Sequence, residues 1–141
     1  MSKQDFTKTF SVDQAPEQVF AAINDVRSWW TGDIDGRTDV LGDRFTYRHK
    51  DVHRTTHEIT ELTPGKRIVW RVVESYLSAL ENTREWDGTE IVFDIAKNGD
   101  KTDVTFTHVG LAPLECYDRC SRAWSYFVMD SLKKRITASE S

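Results

Sequence analysis

The chain has 141 residues and a mass of 16.3 kDa. That is one domain of ordinary size, able to bury roughly 68–70% of its extended surface without metal or disulfide staples. With 38% hydrophobic and 30% charged residues, and no apolar run near the ~20 residues that cross a bilayer, it excludes a membrane span. Nineteen basic against 23 acidic residues give a net charge of −4, which excludes the basic footprint of a general nucleic-acid binder.

Met1-Ser2-Lys3-Gln4 lacks the apolar core of a signal peptide, so a cytoplasmic location is expected. Phe6, Phe10 and Val12 alternate with polar neighbours and predict an edge strand over 6–12. Pro16 suits the first position of a short helix carrying Val19, Phe20 and Ile23, with Glu17 at its positive end. Asp25 is placed to cap a second short helix through Trp29-Trp30, which Gly32 stops.

The middle of the chain reads as an antiparallel meander. A turn at Lys50-Asp51-Val52 sets His49 opposite His53, Tyr47 opposite Thr55 and Phe45 opposite His57. Pro64-Gly65 marks a second turn, pairing Ile59 with Trp70 and His57 with Val72, and leaving Arg67, Val69 and Arg71 on the other face. Asn98-Gly99 marks a third, pairing Ile95 with Thr102, Phe93 with Val104 and Ile91 with Phe106. In each hairpin the bulky apolar positions meet on one face, which supports the register because a one-residue slip would invert every side chain. Residues 76–88, with Leu77, Leu80 and Trp86 among charges, read as a strand extension with a loop, or as a lid.

From Pro113 the pattern turns helical: Cys116, Cys120, Ala123, Trp124, Phe127, Val128, Leu132 and Ile136 recur at three- and four-residue steps. On a regular helix Cys116 and Cys120 stand one turn apart, too far for easy disulfide geometry, so two reduced, semi-buried thiols are expected. The fold class is therefore α+β: one strand, two short helices, a curved antiparallel sheet and one long C-terminal helix that covers the apolar sheet face.

With those elements in place, the chain resembles the START/SRPBCC superfamily, the helix-grip fold of the birch-pollen allergens. Within it the branch related to the C-terminal domain of the activator of the large heat-shock chaperone's ATPase is most similar. The resemblance rests on Phe10-Ser11-Val12 through Phe20, Trp29-Trp30, Gly42-Asp43-Arg44-Phe45, Ile68-Val69-Trp70, Thr105 to Leu111, Ala123-Trp124 and Ser131-Leu132-Lys133. It spans nearly the whole chain, so residues 1–141 are expected to form a single domain of this type, although the eukaryotic activator carries an additional N-terminal domain. It implies binding of apolar or aromatic small molecules, cyclase or hydrolase activity, or assistance to the chaperone.

The candidate ligand-binding residues are Trp29, Trp30, Tyr47, His57, Trp70, Phe93, Phe106, His108, Trp124 and Phe127. Rings with polar handles on a concave face line small-molecule sites, and the same rings also make an ordinary core. All four histidines, His49, His53, His57 and His108, fall on the inward parity of their strands. His49 and His53 flank a hairpin tip and read as solvent-exposed. His57 lies between Phe45 and Val72, where an imidazole contacts a ligand, is satisfied by neighbours, or acts as a base. His108 ends its strand, either bonded into the Gly110-Leu111 turn or facing the ligand. Thr55, His57 and Glu74 are the inward polar groups. No nucleophile triad, phosphate loop or metal signature is visible, so no metal, cofactor or catalytic residue is assigned. The sequence thus points to a binding protein with an apolar cavity between sheet and helix, with a chaperone-assisting module or a cyclase-type enzyme as the alternatives.

Overall fold

The computed structural model describes residues 5–30, 32–50, 52–78, 81, 83–111 and 117–138. Its centre is one seven-stranded antiparallel sheet of order β1-β7-β6-β5-β4-β3-β2. The strands are β1 (Phe6–Val12), β2 (Asp33–Gly36), β3 (Arg44–His49), β4 (His53–Thr63), β5 (Arg67–Leu77), β6 (Glu90–Asn98) and β7 (Lys101–Val109). Helix α1 (Pro16–Asn24) and a single 3-10 turn (Val26–Ser28) lie between β1 and β2. The C-terminal helix runs as α2 (Tyr117–Trp124), a π-helical segment (Ser125–Leu132) and α3 (Lys133–Ala138) in direct succession. Among the described residues no helix is long and apolar enough to cross a membrane.

Parity explains the layering. Phe6, Phe10 and Val12 of β1, Ile91, Phe93 and Ile95 of β6, and Val104 and Phe106 of β7 are all buried on one face. Val19, Ile23 and Val26 close one end of that face, and Trp124, Val128, Leu132 and Ile136 of the C-terminal helix close the rest. Those four helix positions repeat every four residues. Ala123, expected on the stripe, is exposed instead, and Phe127 is only half-buried. Ser131 Oγ donates to Trp29 O at 2.6 Å and Arg135 reaches Asp25 at 3.4 Å, pinning the helix against the 3-10 turn. Asp25 therefore spends its carboxylate on Arg135, and makes no side-chain cap of the turn that follows it.

Two hairpins have the expected register: His49 faces His53, Tyr47 faces Thr55, Phe45 faces His57, and further on Ile59 faces Trp70 and His57 faces Val72. The third differs by two residues. Ile95 faces Val104, Phe93 faces Phe106 and Ile91 faces His108, because the turn is centred on Gly99-Asp100 and Asn98 pairs with Lys101. Gly99 has φ 62°, while Asp100 keeps a negative φ, as a II′ turn with glycine first requires. Asn98 then serves the strand, donating to Asp103 Oδ2 at 3.0 Å. A two-residue slip preserves parity, so the expected faces survive.

A register shift between β4 and β5 does not preserve it. Thr56 pairs with Glu74 but His57 pairs with Val72, which leaves Val73 as an extra residue. Glu74, expected inward, is exposed, and Ser75 is buried in its place, donating to Asp87 Oδ1 at 2.7 Å. Beyond Val72, β5 is flanked by the 83–89 loop: Val72 N donates to Thr89 O and Leu77 N to Thr83 O, both at 2.8 Å. The strand extension is thus confirmed through Leu77, while Leu80 lies outside the described residues.

The cysteines also depart from expectation. Cys120 is disulfide-bonded rather than a free thiol. The chain's other cysteine, Cys116, lies outside the described residues. Thiol usage therefore gives no argument for a reducing compartment.

Candidate functional site

Nine of the ten candidate residues come together in one buried layer between the sheet and the C-terminal helix. Phe127 stands at its margin, edge-on to Trp30 at 6.5 Å. Trp30 is central. Its indole stacks on Tyr47 at 3.9 Å, lies parallel to Trp70 at 6.3 Å, and meets Trp124 at 5.0 Å and His57 at 5.5 Å. The layer continues through Trp29, which is edge-on to Phe93, and through Phe106, which tilts against Trp124 at 4.7 Å. Gly32 is needed here. With φ 156° it passes so close to Tyr47 that a Cβ would fall 2.6 Å from Cε1. Glycine thus lets the chain leave Trp30 without disturbing the Trp30–Tyr47 stack.

The histidines divide by their partners. His108 has both ring nitrogens occupied: Trp124 Nε1–H donates to Nδ1 at 3.0 Å, and Nε2 meets Thr89 Oγ1 at 2.9 Å. An indole N–H can only donate, so Nδ1 must accept and the neutral ring carries its proton on Nε2. Thr89 passes the chain on by donating to Trp86 O at 2.7 Å. Burial pushes the His108 pKa down to about 3. This imidazole is tied into the fold, from β7 to the helix on one side and to the 83–89 loop on the other.

His57 is different. Fully buried, it uses Nε2 on Thr55 Oγ1 at 2.8 Å, and Nδ1 has no partner. Phe45 stacks on its ring at 5.0 Å and Trp70 meets it at 5.7 Å. Burial, then the neighbouring His53 and His108, holds its pKa well below the ordinary value near 6.5. Trp70 Nε1 is the other unpartnered polar atom of this layer. Tyr47, desolvated beside them, has its phenol pushed up to about 12.

His53, expected at a solvent-exposed tip, is half-buried because Trp86 covers it edge-on at 5.3 Å. Burial and then His49 lower its pKa to about 4. His49 itself is exposed, beyond the reach of the covering elements. Trp86 also meets His108 edge-on at 4.6 Å and stacks on Trp124 at 6.0 Å. It belongs to the layer and was absent from the sequence candidates. Its one signal was a large ring in an otherwise charged stretch. Among the described residues no group of three or more His, Cys, Asp or Glu is placed to hold a metal ion.

A profile of the family described as "Activator of Hsp90 ATPase homolog 1-like protein" matches residues 13–137. The chain belongs to this family. Solved structures of the same fold support the architecture. The Aha1 dimer of Colwellia psychrerythraea is 24% identical, with 97% of this chain and 98% of that one covered and a TM-score of 0.76. Protein MLL2253 of Mesorhizobium loti is 15% identical, over 97% and 99% of the two chains, with a TM-score of 0.77. DynU16, a protein of the dynemicin biosynthetic locus, is 14% identical, covering 98% of this chain and 49% of its own, with a TM-score of 0.71. No curated protein matches the chain. Membership of the activator-like family thus agrees with the helix-grip resemblance, and identities this low carry the fold alone.

Proposed function

We propose that this single-domain protein binds a small, largely apolar or aromatic molecule between the sheet and the C-terminal helix. The observation that carries the reading is the imidazole of His57: fully buried, held neutral, and with Nδ1 unpartnered at the centre of a layer of rings. A buried polar atom is ordinarily paired, so one aimed among rings marks a place where a ligand supplies the missing partner. In this reading Trp30, Tyr47, Trp70, Phe93, Phe106 and Trp124 supply apolar contact, and Trp29 and Phe127 border the site. His108, with both nitrogens engaged, orients Trp124 rather than touching the ligand through a polar atom.

Native mass spectrometry of freshly purified protein tests this directly. A retained small molecule is the expected result, and its loss in His57→Leu would locate it. A folded protein that retains nothing, and whose His57 signals ignore every apolar compound titrated in, refutes the reading.

The family match favours a second reading, in which the chain is a chaperone-assisting module. A stable complex with the heat-shock chaperone and a stimulated ATPase would support it over ligand binding. A cyclase- or hydrolase-type activity draws less support. The polar partners of His53, His57 and His108 are Thr55, Thr89 and Trp124, and none is a carboxylate that would orient a general base.

A further inference from the structure

We infer that the ligand of this site is a neutral ring-bearing molecule whose single oxygen, a hydroxyl or a carbonyl, accepts the Trp70 indole N–H and meets His57 Nδ1. The inference rests on the binding reading above and narrows it to a chemical class. It begins with Trp70, whose ring is fully buried on β5. An indole offers one donor and no acceptor, so its N–H needs an oxygen or nitrogen lone pair. Trp29 gives its N–H to Ile23 O at 3.1 Å, and Trp124 gives its own to His108. Trp70 Nε1 has no such partner.

The two unpartnered atoms belong to rings in contact, on adjacent strands. His57 and Trp70 have centroids 5.7 Å apart, and Phe45 touches both, stacked on the first and edge-on to the second at 5.0 Å each. The inference is that one small polar group serves them both. Trp30 lies parallel to Trp70, with 2° between the planes, and edge-on to His57.

The atom types set the class. Trp70 demands an acceptor. His57 tolerates either role, because the Thr55 hydroxyl on Nε2 can donate or accept, leaving Nδ1 as N–H or lone pair accordingly. A hydroxyl accepts from Trp70 and donates to His57, and a carbonyl oxygen accepts from both. A hydrocarbon leaves both unpaired. A carboxylate fares worse: the buried polar side chains are Gln, Asn, Thr, Ser and His, and among the described residues no Lys or Arg is buried to compensate its charge. Nor does the neighbourhood favour a charged His57, since His53 and His108 both face it.

Three probes of matched shape test the class at pH 7: naphthalene, 1-naphthol and 1-naphthoate, titrated into the full chain with isothermal calorimetry. 1-Naphthol is expected to bind about tenfold tighter than naphthalene, the ordinary worth of a buried hydrogen bond, and naphthoate weakest. Trp70→Phe should weaken naphthol more than naphthalene, so that most of the tenfold preference is lost. In the unaltered protein the Trp70 indole N–H resonance should shift with naphthol and not with naphthalene, a readout that survives if the variant fails to fold. Naphthalene binding as tightly as naphthol, naphthoate binding tightest, or an unmoved Trp70 resonance would each overturn the assignment while leaving an apolar site. Failure of all three probes to bind would remove the binding reading itself.

Discussion

Acidification from pH 7 to pH 5 should destabilise this protein steeply, through the buried imidazoles of His57 and His108 and the half-buried one of His53. His108 titrates near 3, His53 near 4 and His57 well below its ordinary value in the folded chain, in each case first because burial disfavours the charged ring. In the unfolded chain each returns to about 6.5. The folded pKa lies below the unfolded one, so the stability is fully present above pH ~6.5 and is lost as pH falls toward the folded values. Between pH 7 and pH 5 the unfolded state takes up about three-quarters of a proton per ring, while folded His108 and His53 take up almost none. That difference costs about 2 kcal/mol each for His108 and His53, about 4 kcal/mol together, and His57 adds to it in the same direction. A loss of this size rivals the whole stability of many domains. Urea melts at pH 7, 6 and 5 measure it, and His53→Gln should remove about 2 kcal/mol of the dependence. A loss under about 2 kcal/mol over the same interval would mean that at most one of these rings is held neutral by burial, and the account of the aromatic layer would fail.

Truncating Trp124 to Ala should cost about 3–5 kcal/mol in denaturant melts, as for a large buried ring; a cost below ~1 kcal/mol would mean the helix does not bury it. Trp124→Phe keeps most of the ring but strips His108 Nδ1 of its donor, and should cost about 1–3 kcal/mol. Gly32→Ala forces a methyl toward Tyr47 and should collapse the near-ultraviolet circular dichroism of the Trp30–Tyr47 stack, whereas an unchanged spectrum would show that the chain can move aside. Thiol titration of denatured, unreduced protein should find no free thiol, since Cys120 is bonded and the chain has only one other cysteine; two reactive thiols would restore the expectation drawn from helical spacing.

Where turn residues and parity spoke together, the sheet was legible in advance. Lys50-Asp51-Val52 and Pro64-Gly65 located His57 between Phe45 and Val72 without any coordinates. Asn98-Gly99 misled by two residues because glycine can lead a II′ turn as readily as it follows asparagine in a I′ turn. The extra residue at Val73 was hidden because a bulge changes parity without changing composition, and so Glu74 and Ser75 exchanged faces. Strand β2 escaped notice because Asp33–Gly36 holds one apolar residue, Ile34, too few to show alternation. The rings of the site were readable as inward positions, but their hydrogen bonds were not. Nothing in the sequence separates His108, saturated by Trp124 and Thr89, from His57, which keeps a nitrogen unpaired.

The π-helical segment has a consequence for the phase of the C-terminal helix. At 3.6 residues per turn, four residues advance 400°, so a stripe repeating every four residues creeps 40° around an α-helix at each step. Three steps separate Trp124 from Ile136, and a purely α-helical rod would carry the two about 120° apart, turning one end of the stripe off the sheet. The wider turns of Ser125–Leu132 advance less per residue and wind that drift back. All four side chains can then lie along one straight seam. The helix behaves like a vernier scale, its local pitch adjusted so that marks spaced for one ruler fall into line on another.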